Sequence, residues 1–454
     1  MRELVRRNLR FFVIVSLAAL GLRLVFLLRF PAVVTDSFIY GDIAKNWLQH
    51  GIYGLSGSGE ISPTYIRLPG YPAFLALIFS IFGIDNYRAV LVVQMFVDLG
   101  TCFLCADIAW RLLGVNASKI AFWLAALCPF LINYSAAALT ETLEVFFTVL
   151  ALNLAINALA TQRNGSWAAC GAACGGATLL RPDGALLVIA IEIYIIAVFI
   201  RDRHATARGL RLWSAILLLA VAILPLCPWA LRNWRVFHRF QPLAPRYANE
   251  ENEFVPMGFN RWTKSWIADY VSVEEIYWAV PGGKIDPATL PLRAFDTPQQ
   301  RQETQRVLED YNDLLHVSPA IDSRFEAIAE QRIQAHPLRY YLELPVSRIL
   351  DMWLRPRTEM LPCDSRWWEF NDEPKWSALA VGFGAINLAY LLCAIAGWMR
   401  FRSAPTMGLL VLFIILRSAF LGTLENPEPR YTLETYPIII VLAAAAFVPR
   451  RKLL

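Results

Sequence analysis

Residues Leu9–Arg29 read LRFFVIVSLAALGLRLVFLLR, an apolar run interrupted only by Ser16 and isolated arginines. A helix needs about 20 apolar residues to cross the hydrocarbon core of a bilayer. Similar or slightly shorter runs follow along the chain. They are Ala89–Trp110, Ser118–Ala138, Glu141–Ala160, Trp167–Leu180, Ala185–Ile200, Leu212–Leu231, Trp376–Met399, Pro405–Leu424 and Tyr436–Val448. The sequence therefore predicts an all-α, polytopic membrane protein with about ten transmembrane helices.

The composition of the whole chain agrees with this prediction. Of the 454 residues, 57% are hydrophobic and 17% are charged, whereas about a quarter of the residues of a soluble protein are charged. This composition excludes a soluble enzyme, a disordered regulator and a fibrous repeat. The net charge of +5 is small for a chain of this length, and no basic run is long enough to indicate nucleic-acid binding.

The segment Tyr71–Gly83 decides the topology, because it is apolar but too short to span comfortably. If it lies in the membrane interface, every short basic loop falls on the side of the basic N-terminus. If it crosses, every loop from Arg111 onward changes sides. Since short loops rich in Lys and Arg stay in the cytoplasm, we predict an interfacial segment and cytoplasmic termini.

Under this topology, residues 31–88, 139–140, 232–375 and 425–435 are extracytoplasmic. Residues 232–375 look water-soluble and contain a helical stretch at Arg324–Trp353. We therefore predict three parts. These are an N-terminal transmembrane catalytic module at 1–231 with its first outer loop at 31–88, a small helical subdomain at 232–375, and C-terminal transmembrane helices at 376–454.

Ionisable residues gather on the extracytoplasmic side. The carboxylates include Asp36 and Glu141, and the arginines include Arg67 and Arg430. Arg181 joins them, because it lies in the short connection between two predicted spans at the same outer level. Such a set suits a reaction in which a hydroxyl attacks while a phosphate leaves, because a carboxylate takes the proton and guanidinium groups hold phosphate oxygens. Structural interpretations stay open, since acids also suit helix N-termini and arginines also suit the membrane interface.

Several short motifs occur in a characteristic order along nearly the whole chain. They are Asp36 with Tyr40 and Ala44, GIY at 51–53, RLPGYP at 67–72, Thr140-Glu141, LLRPDG at 179–184, PWALRN at 228–233, HPLRYYL at 336–342 and EPRY at 428–431. In these motifs the chain resembles the bacterial polyprenyl-phosphate-sugar-dependent glycosyltransferases of the GT-C superfamily, which include protein O-mannosyltransferase-like and aminoarabinose transferase-like enzymes.

The resemblance implies a GT-C-type helical bundle with interfacial helices in the first outer loop. It implies an inverting transfer of a sugar from a polyprenyl-phosphate donor to an acceptor hydroxyl on a glycan, lipid or protein. The reaction would occur on the periplasmic face of the bacterial inner membrane. Asp36 takes the place of the family's general base, and Glu141 that of a second catalytic acid. Predicted contacts of the lipid phosphate or sugar are Tyr40, Arg67, Arg181, Arg430 and Tyr431.

One position departs from the family pattern. Ser37 stands where many relatives carry a second acidic residue. No metal site is therefore predicted, and a divalent cation stays open as a cofactor because members of the family differ in this requirement.

Three other functions remain open at the level of sequence. An oligosaccharide ligase or polymerase with a lipid-linked donor would share the charged outer face. A transporter or flippase for lipid-linked sugars would need polar residues at mid-membrane depth and broken helices in paired halves, and the helix interiors here carry few charges. A structural scaffold would give no reason for the ordered motifs.

Overall fold

The computed structural model describes residues 1–57, 59–201, 205–371 and 373–449, with the side chains of residues 201 and 205–211 outside this description. The described part is dominated by helices. They are α1 (Arg2–Arg7), α2 (Leu9–Arg29), α3 (Thr35–His50), α4 (Gly70–Phe82), α5 (Tyr87–Leu113), α6 (Val115–Ala126), α7 (Pro129–Ser135), α8 (Glu141–Thr161), α9 (Asn164–Leu180), α10 (Ala185–Arg201), α11 (Ala205–Ile223), α12 (Leu226–Phe237), α13 (Met257–Lys264), α14 (Tyr270–Ser272), α15 (Pro298–Leu314), α16 (Pro319–Ala335), α17 (Leu344–Leu354), α18 (Pro374–Phe401), α19 (Met407–Gly422) and α20 (Tyr436–Ala446). The antiparallel hairpin of β1 (Gly54–Gly57) and β2 (Glu60–Pro63) is the sheet of the described chain.

Five described helices are long and apolar enough to cross a membrane, and two bent helix pairs raise this number to seven. The sequence predicted about ten crossings. The difference arises from apolar runs that fold as shorter helices, namely α9, α19 and α20 with 17, 16 and 11 residues.

Proline accounts for the breaks in two predicted spans. The run Ser118–Ala138 folds as α6 and α7, bent by 51°, because Pro129 lacks the N–H of a continuous helix and disfavours the helical conformation at the residue before it. The run Leu212–Leu231 is likewise bent by 43° between Ile223 and Leu226, next to Pro225.

The first outer loop forms α3, the hairpin and α4. Helix α3 begins where the Val34 N–H donates to Ser37 Oγ at 3.0 Å, and it ends at Gly51, whose φ of +70° favours glycine. Helix α4 has 13 residues, which is too short for a perpendicular crossing. The helix coincides with the segment Tyr71–Gly83, whose location in the interface stays a prediction.

The chain divides into two compact units. The first unit comprises Met1–Glu251, Leu388–Ile414 and Leu433–Leu454, and the second unit comprises Asn252–Asn387 and Ile415–Thr432. This division follows contacts within the chain, whereas the three parts predicted from the sequence follow membrane topology.

A fully buried ion pair joins helices of the first unit. Arg23 Nη2 lies 2.6 Å from Asp98 Oδ2, and Arg23 Nη1 donates to the carbonyl oxygens of Ala19 at 3.1 Å and Ala126 at 2.9 Å. Ala126 is the last residue of α6, just before the proline break. Because Pro129 interrupts the backbone hydrogen bonds there, the guanidinium supplies a donor to a carbonyl at the end of this helix.

We expect Arg23→Leu to lower the free energy of unfolding by about 3–5 kcal/mol, because it leaves Asp98 as a buried charge without its partner. The double variant Arg23→Leu/Asp98→Leu should lose less, since no charge is stranded. Thermal unfolding of the detergent-solubilised protein measures both effects. Equal losses in the single and double variants would contradict the assignment of an ion pair.

The second unit has its own apolar core. It is formed mainly by α13, α15, α16 and the segment between α13 and α15. The largest fully buried side chains include Trp262, Trp266, Tyr311 and Phe325. The predicted helical stretch Arg324–Trp353 is interrupted, because α16 ends at Ala335 before Pro337 and the chain resumes through a π-helical turn at Arg339–Glu343.

Asp351 of α17 gives the second unit a dependence on pH. Burial raises the pKa of Asp351 to about 6, against an opposing effect of Arg355, and nearby Asp269 raises it further. The carboxylate accepts the Tyr270 N–H at 3.0 Å.

Since this pKa lies above the usual aspartate value of 3.8, the contribution of Asp351 to stability is present below about pH 4 and is lost as the pH rises through about 6. We expect Asp351→Asn to remove this part of the pH dependence. The unfolding temperature of the variant should therefore rise relative to that of the wild type as the pH increases from 4 to 7. Parallel pH profiles of the two proteins would show that this carboxyl is not destabilised by burial.

Candidate active site

The first outer loop brings Asp36, Arg67 and Tyr40 together in the first unit. Asp36 lies in the first turn of α3, and its Oδ1 accepts a hydrogen bond from Arg67 Nη2 at 3.1 Å. The Arg67 guanidinium carbon also lies 5.7 Å from the centre of the Tyr40 ring, a distance typical of cation–π contacts. About 36% of the Asp36 side chain is exposed, so that it is accessible from water.

The hairpin and its neighbours fix the segment that carries Arg67. The Tyr53 hydroxyl donates to the Arg67 carbonyl oxygen at 2.9 Å. Arg232 of α12 donates to the carbonyl oxygens of Thr64 and Tyr53, each at 2.7 Å. Asp42 accepts the Ser56 N–H at 2.6 Å, which ties the hairpin to α3. Asp42 therefore has a structural partner.

A second charged cluster lies where α8 begins and α9 ends. Arg181 Nε is 3.7 Å from Glu144 Oε1 and 3.4 Å from Asp183 Oδ1. The side chain of Glu144 also hydrogen-bonds that of Glu434, just before α20. Glu141 begins α8, and both Glu141 and Glu144 are about 3% exposed.

Tyr40 interacts electrostatically with members of both clusters. Burial raises the pKa of Tyr40 to about 12, and Arg67, Asp36, Arg181 and Glu144 all influence it electrostatically. All four charges therefore lie within electrostatic range of the phenol. At neutral pH Tyr40 stays protonated, so that its hydroxyl can donate a hydrogen bond to an anionic ligand.

The two predicted carboxylates occupy different environments. Asp36 is partly exposed, whereas Glu141 is buried at the N-terminus of α8, where the helix dipole favours an acid. Asp36 is therefore the carboxylate of this pair that is more accessible to solvent.

The remaining predicted residues, Arg430 and Tyr431, belong to the second unit. Arg430 Nε lies 2.5 Å from Glu428 Oε2, and the Tyr431 hydroxyl donates to Glu428 Oε1 at 2.5 Å. Two buried arginines support this segment through its backbone. Arg417 donates to the Tyr431 carbonyl oxygen at 3.0 Å, and Arg357 donates to that of Pro429 at 2.6 Å.

Three acidic residues of the second cluster were not among the predicted site residues, namely Glu144, Asp183 and Glu434. Two of them carried a signal in the sequence, because Glu144 follows Glu141 by one helical turn and faces the same way, and Asp183 is two residues from Arg181. Glu434 is brought to Glu144 by tertiary folding across nearly 300 residues, and no local pattern predicts this contact.

Within the described residues, no group of three or more His, Cys, Asp and Glu side chains could hold a metal ion. The Ser37 hydroxyl, at the position where many relatives carry an acid, accepts the Val34 N–H and caps α3. Ser37 thus provides a helix cap at this position.

An apolar cavity of about 420 Å³ lies beside the first outer loop in the first unit. The side chains that line it include Trp47, Tyr53, Trp229, Arg232 and Val236. The Arg232 guanidinium carbon lies 5.3 Å from the ring centres of Tyr53 and Trp229. An apolar cavity with one cationic group suits a ligand that has an apolar part and an anionic part.

Comparisons with known proteins agree with this architecture. Residues 63–229 match the family model described as dolichyl-phosphate-mannose-protein mannosyltransferase. The match includes Arg67, Glu141 and Arg181, whereas Asp36 and Arg430 lie outside it. No curated protein matches the chain.

Solved structures resemble the chain at low sequence identity. The archaeal oligosaccharyltransferase AglB from Archaeoglobus fulgidus, in complex with an inhibitory peptide and a dolichol-phosphate, matches with a TM-score of 0.52 and 13% identity over 96% of this chain and 50% of that chain. ArnT from Cupriavidus metallidurans bound to undecaprenyl phosphate matches with a TM-score of 0.42 and 14% identity over 94% and 77%. The arabinosyltransferase EmbB from Mycobacterium smegmatis matches with a TM-score of 0.40 and 13% identity over 95% and 40%.

The chain spans about half the length of AglB. The similarity to AglB and the family match confirm the fold class and the family resemblance predicted from the sequence. The chain is thus a multi-pass membrane protein with the fold of the GT-C glycosyltransferases, and its residues 63–229 match the dolichyl-phosphate-mannose-protein mannosyltransferase family.

Proposed function

We propose that the chain is an integral-membrane glycosyltransferase that moves a sugar from a polyprenyl-phosphate donor to an acceptor hydroxyl, with inversion. One observation carries this proposal. A partly exposed carboxylate, Asp36, is hydrogen-bonded to Arg67 next to the protonated phenol of Tyr40. This arrangement combines a proton acceptor with two donors that can bind a phosphate.

The chemistry follows from these three groups. The acceptor oxygen bonds to the anomeric carbon of the sugar while the bond from that carbon to the phosphate oxygen breaks. Asp36 takes the acceptor proton, and the bonding electrons leave with the phosphate. The guanidinium fork of Arg67 and the Tyr40 hydroxyl would bind the phosphate oxygens as negative charge builds on them. A direct displacement from the opposite face inverts the anomeric carbon.

The second cluster supports the same interpretation. Arg181 is held by Glu144 and Asp183 within electrostatic range of Tyr40. We assign to Arg181 a supporting role at the phosphate or sugar, and Glu141, buried at the start of α8, stays proposed as a second catalytic residue. Arg430 and Tyr431, in the second unit, stay proposed contacts of the donor.

The donor and the location complete the proposal. The solved AglB complex contains a dolichol-phosphate, which supports a lipid-phosphate donor here. The basic loops favour cytoplasmic termini, and the site would then face the periplasm of a bacterial inner membrane. The acceptor would be a glycan, a lipid or a protein.

The direct test uses the purified protein in detergent with a panel of polyprenyl-phosphate monosaccharides, and it measures released polyprenyl phosphate. We expect one donor to be consumed in a time-dependent manner. If every monosaccharide donor is bound and returned intact, even with crude envelope glycans and proteins added as acceptors, the proposed donor class is wrong.

A second candidate is an oligosaccharide ligase or polymerase that uses a lipid-linked oligosaccharide. It is favoured by the similarity to AglB, an oligosaccharyltransferase. Adding lipid-linked oligosaccharides to the same panel separates the two activities. Movement of intact donor across proteoliposomes without its cleavage would instead indicate a transporter.

A further inference from the structure

A second cavity of the first unit lies at the ends of α5 and α8 that are opposite the candidate active site. Its volume is about 570 Å³, and its lining includes Trp110 and Arg111 of α5, Leu159 and Ala160 of α8, and Pro405 before α19. Ala160 lies 19 residues after Glu141 in the same helix. At 1.5 Å per residue, this separation is about 28 Å, which is close to the thickness of a bilayer core.

The cavity combines an apolar wall with one fixed guanidinium group. Arg111 Nε donates to Asp107 Oδ2 at 2.9 Å, and Arg111 Nη1 donates to Asn157 Oδ1 at 2.9 Å. These bonds use two of the three guanidinium nitrogens and fix the plane of the group. Asp107 is itself held by Asn153 Nδ2 at 2.9 Å. The side chain of Arg111 remains about 31% exposed, so that a further acceptor can reach it.

The charge of the surrounding segments is positive. Exposed Arg163 follows α8 and exposed Arg402 precedes Pro405, whereas Asp107 is the acidic residue of the helix ends that line the cavity. Trp110, next to Arg111, is a residue type enriched at membrane interfaces. An apolar wall for acyl chains, an interfacial tryptophan and a cationic rim together fit an amphiphile with an anionic head.

We propose that this cavity binds an anionic phospholipid, with the phosphodiester headgroup on Arg111 and acyl chain against Leu159 and its apolar neighbours. This site is separate from the proposed transfer reaction, because it lies at the other end of α8. It would anchor the ends of α5 and α8 and the segment before α19 to the lipid of that leaflet.

The test uses the delipidated full-length protein in detergent, with phosphatidylglycerol and phosphatidylcholine of identical acyl chains as probes. Native mass spectrometry measures the lipid retained, and thermal unfolding measures stabilisation. We expect phosphatidylglycerol to be retained preferentially and to raise the unfolding temperature more than phosphatidylcholine does.

Two variants locate the binding. Arg111→Gln should weaken binding of phosphatidylglycerol about tenfold, because it removes a charge-assisted hydrogen bond while keeping an amide donor for Asp107. Ala160→Trp fills the cavity from an exposed position and should weaken binding without changing any charge. The matched control Arg10→Gln removes an exposed arginine on the same predicted side of the membrane, outside the cavity, and should leave binding unchanged.

Three results would overturn the proposal. One is equal retention of both lipids by the wild type. Another is unchanged binding of phosphatidylglycerol by Ala160→Trp. This variant also tests the site if Arg111→Gln does not fold. The third is equal stabilisation by inorganic phosphate alone, which would identify a phosphate site without a lipid. None of these measurements depends on sugar transfer, so the outcome is distinct from that of the activity assay.

Discussion

Asp36→Asn is expected to lower the rate of sugar transfer by about 10²–10⁴-fold, the usual contribution of a positioned general base. The amide keeps the shape of the carboxylate and can still accept a hydrogen bond from Arg67 Nη2. It cannot take the proton of the acceptor hydroxyl. Folding should be unaffected, because Asp36 is partly exposed at the start of α3 and Ser37, rather than Asp36, makes the capping bond with Val34.

The measurement is the initial rate of polyprenyl-phosphate release with a saturating acceptor. Asp85→Asn provides a matched control, since Asp85 is an exposed carboxylate of the same outer loop and its positive φ of 59° is tolerated by asparagine. Donor binding by Asp36→Asn should persist. A variant that transfers sugar at the wild-type rate would show that another group takes the proton.

The apolar runs predicted the long helices of this fold well, because burial in lipid imposes the same requirement on every residue of a span. The run Leu9–Arg29 coincides with α2, and the start of Glu141–Ala160 coincides with that of α8. Breaks within runs were harder to predict. Hydropathy averages over a proline such as Pro129, whereas the backbone bends there because a hydrogen bond is lost.

The site was predictable where its residues lie close in the sequence. The Asp36–Arg67 contact forms within one loop, and the motifs around both residues had indicated a shared location. The partner of Arg181 was missed because Glu144 and Glu141 both suit a helix N-terminus on sequence grounds. Only the packing of α8 against α9 brings Glu144 next to Arg181.

The hairpin of β1 and β2, which precedes Arg67 in the chain, was also not predictable from the sequence. Its strands have four residues each, too few for an alternating pattern to be recognised. Its position depends on distant groups such as Arg232, which donates to the carbonyl oxygens of Tyr53 and Thr64. Local sequence patterns do not predict such long-range hydrogen bonds, although these bonds fix the location of Arg67, the proposed phosphate-binding arginine.

Arg67→Met is expected to lower transfer by about 10²–10³-fold, the typical cost of removing one donor that stabilises charge in a transition state. The loss should appear mainly in kcat, because the phosphate gains most of its charge as the bond to the sugar breaks. Arg67→Lys should recover part of the rate, since it restores the charge without the planar fork that can bind two phosphate oxygens. The matched control is Arg88→Met, which removes an exposed arginine near the same outer loop.

A structural role for Arg67 predicts a different result. If its main task is to hold Asp36 in place, Arg67→Met and Asp36→Asn should be equally slow and the double variant no slower than either. If it also binds the leaving phosphate, Arg67→Met should weaken retention of polyprenyl phosphate as a product inhibitor, whereas Asp36→Asn should not. Product-inhibition constants of the two variants therefore separate positioning of the base from stabilisation of the leaving group, and unchanged inhibition in Arg67→Met would remove Arg67 from the phosphate site.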